Sequence, residues 1–162
     1  YHWSDCPLLA HSDKPIKHET YAEQLKELGG TGTVTTYVPF RNGLLLSYSA
    51  AIAISVGASA IYYGAHADDA AGRAYPDCTP EFVKAMDTAI YEGSGLICHL
   101  YAPLLDLNKA GVVKEGLQLE APYALTWSCY EGGDIPCGVC GTCRDRAAAF
   151  AANGVPDPAR EA

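Results

Sequence analysis

Apolar and polar positions fall into blocks along the chain, and the blocks predict an order of strand, helix, strand, helix. Residues 1–36 are rich in Ser, Asp, His, Pro, Gly and Thr. They carry one short predicted helix, HETYAEQLKEL, stopped by the Gly29-Gly30 pair. TVTTYVPF (33–40) alternates and predicts a short strand running into a loop. RNGLLLSYSAAIAISVGA predicts a buried helix from about Asn42 to Gly57. ASAIYYGAHADD is a continuous apolar run bounded by turn residues, which suits a strand buried on both faces.

Thr79 and Pro80 open the next predicted helix, with Phe82, Val83, Met86 and Ile90 on its apolar side. LICHLYAPL then predicts a strand, and DLNKAGVVKEGLQLEAP a capped helix stopped by Pro122. This order predicts an α/β fold with a doubly wound, mostly parallel sheet, in which ligands sit at the carboxyl ends of the strands. Those ends are VPFRNG, GAHADDAAGRAYPDC and APLLDLNK. From Pro122 the pattern becomes Gly- and Cys-rich without periodicity, followed by a short helix, RDRAAAFAANG, and a Pro-rich tail expected to fray. The division expected is 1–122 as α/β body, with 1–36 largely loop and short helix, and 123–162 as a metal-binding segment with its helix and tail.

Composition narrows the function. A chain of 162 residues that is 49% hydrophobic has enough material for one packed domain. Its formal charge of −8 argues against a general nucleic-acid binder and for a small-molecule partner. The longest apolar run, Gly43 to Tyr63, is interrupted by serines and reads as helix passing into strand, so no membrane span is expected. No leader-like opening is seen, which makes the cytoplasm the expected location. Seven cysteines, an odd number with four in close spacing, suit metal-bound thiolates in a reducing compartment better than a disulfide framework.

Those four are Cys129, Cys137, Cys140 and Cys143, in the spacing C-x7-C-x2-C-x2-C. Gly132, Gly133, Gly138 and Gly141 permit the sharp turns that tetrahedral thiolate ligation needs. Four sulfurs close the shell, so a structural zinc is expected, with an iron–sulfur cluster as the rival. In HADDAAGRAYPDC the adjacent Asp68 and Asp69, with Arg73 and Asp77 nearby, follow directly on a strand. Like-charged neighbours fixed in one loop suggest magnesium, a substrate amine or a polar ring edge, against the plainer reading of a solvated, capped turn. Arg41 and Asn42 stand before a helix, where an anion is favoured; an Asn cap beside a surface Arg explains the spacing equally well. Asp106, Asn108 and Lys109 read first as caps, Lys109 also as a phosphate partner. His66 is a ligand or base or else a satisfied core residue, Cys78 is a nucleophile only if a base lies beside it, and His2, His11, His18 and His99 show no metal spacing. No GxxxxGK[ST], GxGxxG or SGGxDS-like loop occurs in the chain.

Taken together, VPFRNG, GAHADDAAGRAYPDC, LNKAGVVKEG and TWSCYEGGDIPCGVCGTCRDRAAAF resemble the 7-cyano-7-deazaguanine synthases of queuosine biosynthesis, with SDKPIKHETYAE a weaker match. These belong to the ATP-pyrophosphatase group with a HUP-type nucleotide-binding fold. The resemblance implies an ATP-dependent ligase that adenylates 7-carboxy-7-deazaguanine, lets ammonia displace AMP to give the amide, and activates the amide again for dehydration to the nitrile. It implies one structural Zn2+ on Cys129, Cys137, Cys140 and Cys143, ATP with Mg2+ as co-substrate, no direct nucleic-acid or membrane partner, and a homodimer. Asp68, Asp69, Arg73, Tyr75 and Asp77 match the family's strand-end loop, on the deazaguanine and magnesium side, with Asp68, Asp69 and Arg73 taken as catalytic. Arg41 and Asn42 match the helix-start motif that holds a carboxylate or adenylate phosphate. The family's opening strand and SGGxDS loop have no counterpart here, so the expectation is the later part of a longer protein that does not adenylate by itself. Two other readings stand beside this one. A zinc-ribbon module for a protein or RNA partner is weakened by having only Arg144 and Arg146 near the cysteines. A relative that modifies tRNA or another acid is weakened by the acidic charge and the lack of a catalytic cysteine pair.

Overall fold

A computed structural model describes residues 6–8 and 12–160; His2 and His11 lie outside them. Among the described residues, α1 (Tyr21–Glu27), α2 (Arg41–Ser55), β1 (Ala60–Tyr62), α3 (Ala67–Ala70), α4 (Pro80–Gly93), β2 (His99–Tyr101), α5 (Lys109–Gln118) and α6 (Gly141–Ala152) follow one another. Three helix starts are written locally. The Thr20 hydroxyl accepts from Glu23 N while the Glu23 carboxylate accepts from Thr20 N, a capping box. Thr79 caps α4 ahead of Pro80, and Asn108 Oδ1 accepts from Gly111 N at 2.8 Å to cap α5. The start of α2 is not local. Phe40 takes its N-cap place with no side-chain cap, at φ 57°, and the Asp77 carboxylate accepts from Asn42 N at 3.0 Å instead. A carboxylate 35 positions away thus occupies the end of the helix dipole.

β1 and β2 pair in parallel, with Ile61 opposite Leu100 and Tyr62 opposite Tyr101. Ile61 and Leu100 enter a core with Leu46, Ala50 and Ala53 of α2 and Val83 and Ile90 of α4. The opposite face of the sheet is bare: Tyr62 and Tyr101 stack at 5.6 Å, 74% and 47% exposed. The expected strand buried on both faces is therefore buried on one. The expected buried helix is likewise half covered, since Leu44, Leu45, Tyr48, Ile52 and Val56 are exposed. Periodicity could not distinguish these cases, because nearly every position in both runs is apolar.

The strand expected over 33–40 does not form. Gly32 N and Val34 N donate to the carbonyls of Gly72 and Ala74, and Tyr37 N donates back to Val34. Val34 and Thr36 are buried against this loop instead of alternating along a ladder. A second core joins Tyr21, Leu25, Val34, Ala65, Ala74, Tyr75 and Cys78, and a third joins Val113 of α5 to Ala149 and Phe150 of α6.

α6 docks on the amino end of α1. A Cβ added to Gly141 would stand 2.4 Å from the Glu19 carbonyl oxygen, so glycine alone permits the approach. Arg144 grips both oxygens of Glu23 at 2.9 and 3.2 Å and also donates to the His18 carbonyl. The tail expected to fray is held at Asp157: Arg146 forms a two-pronged pair with it at 2.8 and 2.9 Å, shielded from solvent, and donates to the Tyr123 carbonyl.

Two outcomes follow from this docking. Gly141→Ala should cost about 1–3 kcal/mol in urea unfolding, because the added methyl meets rigid backbone; an unchanged midpoint would show that α6 does not sit this closely on α1. The Thr20 amide, then Arg144 and the Thr20 hydroxyl, hold the Glu23 carboxyl at about 2, down from 4.5. A depressed folded value stabilises above the unfolded one, so the contribution is present above pH 4.5 and fades as pH falls toward 2. Glu23→Gln should flatten the stability profile in that window, as read by thermal melts across pH.

Candidate functional site

The four cysteine sulfurs lie within 4.8 Å of one another. Tetrahedral zinc thiolates at about 2.3 Å stand roughly 3.8 Å apart, so the cluster fits a metal of that size. Gly132, Gly133 and Gly138 turn the loop with positive φ, whereas Gly141 serves the close contact with α1 rather than a turn. Cys137 N donates to Cys129 Sγ at 3.4 Å and Cys140 N to Cys137 Sγ at 3.3 Å, the amide support that thiolate charge requires. Burial raises the Cys140 thiol, but the Thr142 hydroxyl and the amides of Tyr130 and Cys143 outweigh it and bring the value to about 6. Cys143 beside it is pushed up to about 12, by burial and by the neighbouring sulfurs. The two neighbouring thiols are thus driven apart in acidity, and a second thiolate beside the first calls for a cation between them.

The loops after the two strands are stitched together. Tyr63 N donates to the Tyr101 carbonyl, Ala67 N to the Leu107 carbonyl, and Lys109 N to Asp68 Oδ2 at 2.7 Å. This stitching puts His66 and Asp69 of one loop beside Lys109 of the other. They line a cavity of about 290 Å³ with Arg41 at the start of α2 and with Tyr21, Tyr75 and Cys78. The rest of the lining is supplied by Trp127, Ser128, Tyr130 and Thr142, from the cysteine-bearing segment itself. Thr142 Oγ1 donates to the Ser128 carbonyl at 2.7 Å and Trp127 Nε1 to the Cys129 carbonyl at 3.0 Å, which fix that part of the lining to the cluster. Two cations, a carboxylate, an imidazole and four other aromatic side chains suit a planar ligand that carries an anionic group.

Inside the cavity, Asp69 lies 3.3 Å from His66 Nε2. Burial raises the Asp69 carboxyl, against the opposing pull of His66, Lys109 and Arg41. His66 Nδ1 is buried without a partner among the described residues. Burial also pushes the Cys78 thiol up to about 11, although Tyr63 lies 3.2 Å away; a thiol kept protonated at neutral pH is a poor nucleophile. Behind the cavity runs a chain of hydroxyls: Thr36 to Tyr75 at 2.6 Å, Tyr75 to Tyr21 at 3.0 Å, and Tyr21 to Tyr130 at 3.2 Å. Burial drives the Tyr21 and Tyr75 phenols far above their ordinary range, so both keep their protons. A second cavity of about 330 Å³ shares Tyr21 and Lys109 with the first and is lined by Asp68 and Asp145.

The residues singled out in the sequence separate here. Arg41, Asp69 and Tyr75 line the first cavity. Asp68 caps α5 and faces the second. Asp77 is buried, with one oxygen on Asn42 N and the other without a partner among the described residues, and Asn42 Nδ2 reaches Cys78 Sγ at 3.5 Å. The anion at the start of α2 is therefore the chain's own Asp77. Arg73 is exposed and lines neither cavity. Trp127, Tyr130 and Tyr21 were not singled out. The available signal was the placing of aromatics immediately around Cys129, which reads as ordinary packing until the segment is seen to face the strand ends.

The family model for "Queuosine biosynthesis protein QueC" matches residues 7–154. The 7-cyano-7-deazaguanine synthase of Archaeoglobus fulgidus is 52% identical over 124 residues, covering 76% of this chain and 51% of the relative. That of Caldicellulosiruptor bescii is 51% identical over 123 residues (76% and 55%), and that of Methanospirillum hungatei 46% identical over 144 residues (85% and 64%). The chain spans about half the length of the curated relatives it matches. No described helix is long and apolar enough to cross a membrane. With matched sequence running from the first described loop through the four cysteines to the end of α6, the chain belongs to the QueC family of queuosine biosynthesis proteins.

Proposed function

We propose that the whole protein makes 7-cyano-7-deazaguanine from 7-carboxy-7-deazaguanine, ammonia and ATP, as an ATP-dependent ligase acting through an adenylated acid and an adenylated amide. The relatives' shared name supports the product. The observation that carries the reading is the cavity lined by both Arg41 and Lys109 and by Trp127 and Tyr130. The two cations suit the carboxylate before activation and the adenylate phosphate after it, and both oxygens become leaving groups only once AMP is attached. The aromatic wall suits the deazaguanine ring, and Asp69 accepts from its ring N–H and amino group. Asp68 and Asp77 act through position, by fixing the starts of α5 and α2. ATP enters with Mg2+, and the body belongs to a doubly wound sheet of the ATP-pyrophosphatase type, of which β1 and β2 form part.

Cys129, Cys137, Cys140 and Cys143 hold one zinc ion in this reading. A shell closed by four thiolates leaves no site for substrate, so its part is to keep Trp127 and Tyr130 in the cavity wall. Elemental analysis should find about one zinc per chain, and Cys140→Ser should lose it; iron with visible absorption would replace the zinc reading with an iron–sulfur one. For the reaction, the whole protein should release AMP only when 7-carboxy-7-deazaguanine is present. Arg41→Ala and Lys109→Ala should each lower kcat/KM for that acid by about 10- to 100-fold, following the loss of a charge-assisted contact. AMP release that ignores the acid would discard the substrate.

A further inference from the structure

Hydroxyl hydrogens are few, and the chain of hydroxyls behind the cavity can be counted through. Tyr75 donates to Tyr21, so the proton on the Tyr75–Thr36 contact belongs to Thr36. Among the described residues Tyr21 then has one acceptor left for its own proton, Tyr130 at 3.2 Å. Were Tyr130 to donate backwards instead, the buried Tyr21 O–H would have no acceptor, a penalty that a buried hydroxyl avoids wherever an alternative exists. The chain therefore runs one way, Thr36 to Tyr75 to Tyr21 to Tyr130, and Tyr130 reaches the cavity with its O–H unspent. Each donated bond polarises the next, so the terminal O–H is a stronger donor than an isolated phenol.

We propose that Tyr130 is a specificity residue: its O–H donates to the ring oxo group of the bound base, beside the N–H and amino group that Asp69 accepts. Together the two side chains accept a ring edge that carries an oxo acceptor next to an N–H donor. They reject one that carries an amino group next to a bare ring nitrogen, because both polar groups would then be left unpaired. The inference rests on the proposed deazaguanine substrate and adds the donor that distinguishes its edge from an adenine-like one. The cysteine-bearing segment thereby takes part in choosing the ligand.

The test uses the whole protein and two unreactive probes, 7-deazaguanine and 7-deazaadenine, with binding measured by calorimetry and metal content checked for every variant. The wild type should bind the oxo ring more tightly; no binding of 7-deazaguanine would remove the substrate reading, and this inference with it. Tyr130→Phe at full metal content should weaken 7-deazaguanine about tenfold, as expected for a lost hydrogen bond, and leave 7-deazaadenine unchanged. Tyr21→Phe changes no residue of the cysteine-bearing segment and keeps the Tyr130 hydroxyl while cutting the chain behind it. It should weaken 7-deazaguanine by about two- to threefold through lost polarisation. With the wild type selective, an unchanged affinity in Tyr130→Phe, or equal weakening of both probes, overturns the assignment.

Discussion

The close approach of α6 to the backbone before α1 is the contact on which the cavity depends. Gly141 lies so near the Glu19 carbonyl that no side chain fits between them. From that point the geometry propagates in both directions. Cys140 takes the N-cap position of α6 and Cys143 lies in its first turn, so whatever fixes the helix fixes that half of the cluster, and through its partners Cys129 and Cys137 the segment that carries Trp127 and Tyr130. On the other side Tyr21, the first residue of α1, is carried into the wall shared by both cavities. Arg144 and Glu23 strengthen the docking but are exposed and worth less than the packing they accompany.

The balance of charge inside the cavity follows from burial. Asp69 is withdrawn from water with Arg41, Lys109 and His66 around it, and desolvation still dominates. A carboxylate so placed is sensitive to what enters: a cationic or N–H-bearing group favours its charged form, whereas an anion that claims the two cations disfavours it. The two acidic neighbours written side by side in the sequence have opposite fates, since the helical turn of α3 sends Asp68 to the α5 amide and Asp69 to the cavity.

Much of this was legible in the sequence where the cause is local. The caps at Thr20, Thr79 and Asn108, the two short strands and the cysteine cluster are each written in one continuous stretch of sequence. What escaped depends on distant partners. The start of α2 is completed by Asp77, residues 33–40 are bound to the loop at 72–74 and not to a strand, and the tail is pinned by Arg146. Exposure of the α2 stripe and of Tyr62 was hidden because uniformly apolar runs carry no phase. The aromatic wall was missed for a related reason: nothing in TWSCYEGG says which way Trp127 and Tyr130 face until the segment is folded against the strand ends.

The row of hydroxyls has an electrostatic meaning of its own. In the donor order inferred above, the O–H bonds from Thr36 through Tyr75 and Tyr21 to Tyr130 add to a dipole with its positive end toward the cavity. Three phenols and a threonine thus do with side chains what a helix amino terminus does with its backbone. They do so with no formal charge. In a chain whose net charge is already −8, this supplies a short-range attraction for electron-rich oxygen that salt screens less than it would an exposed charge.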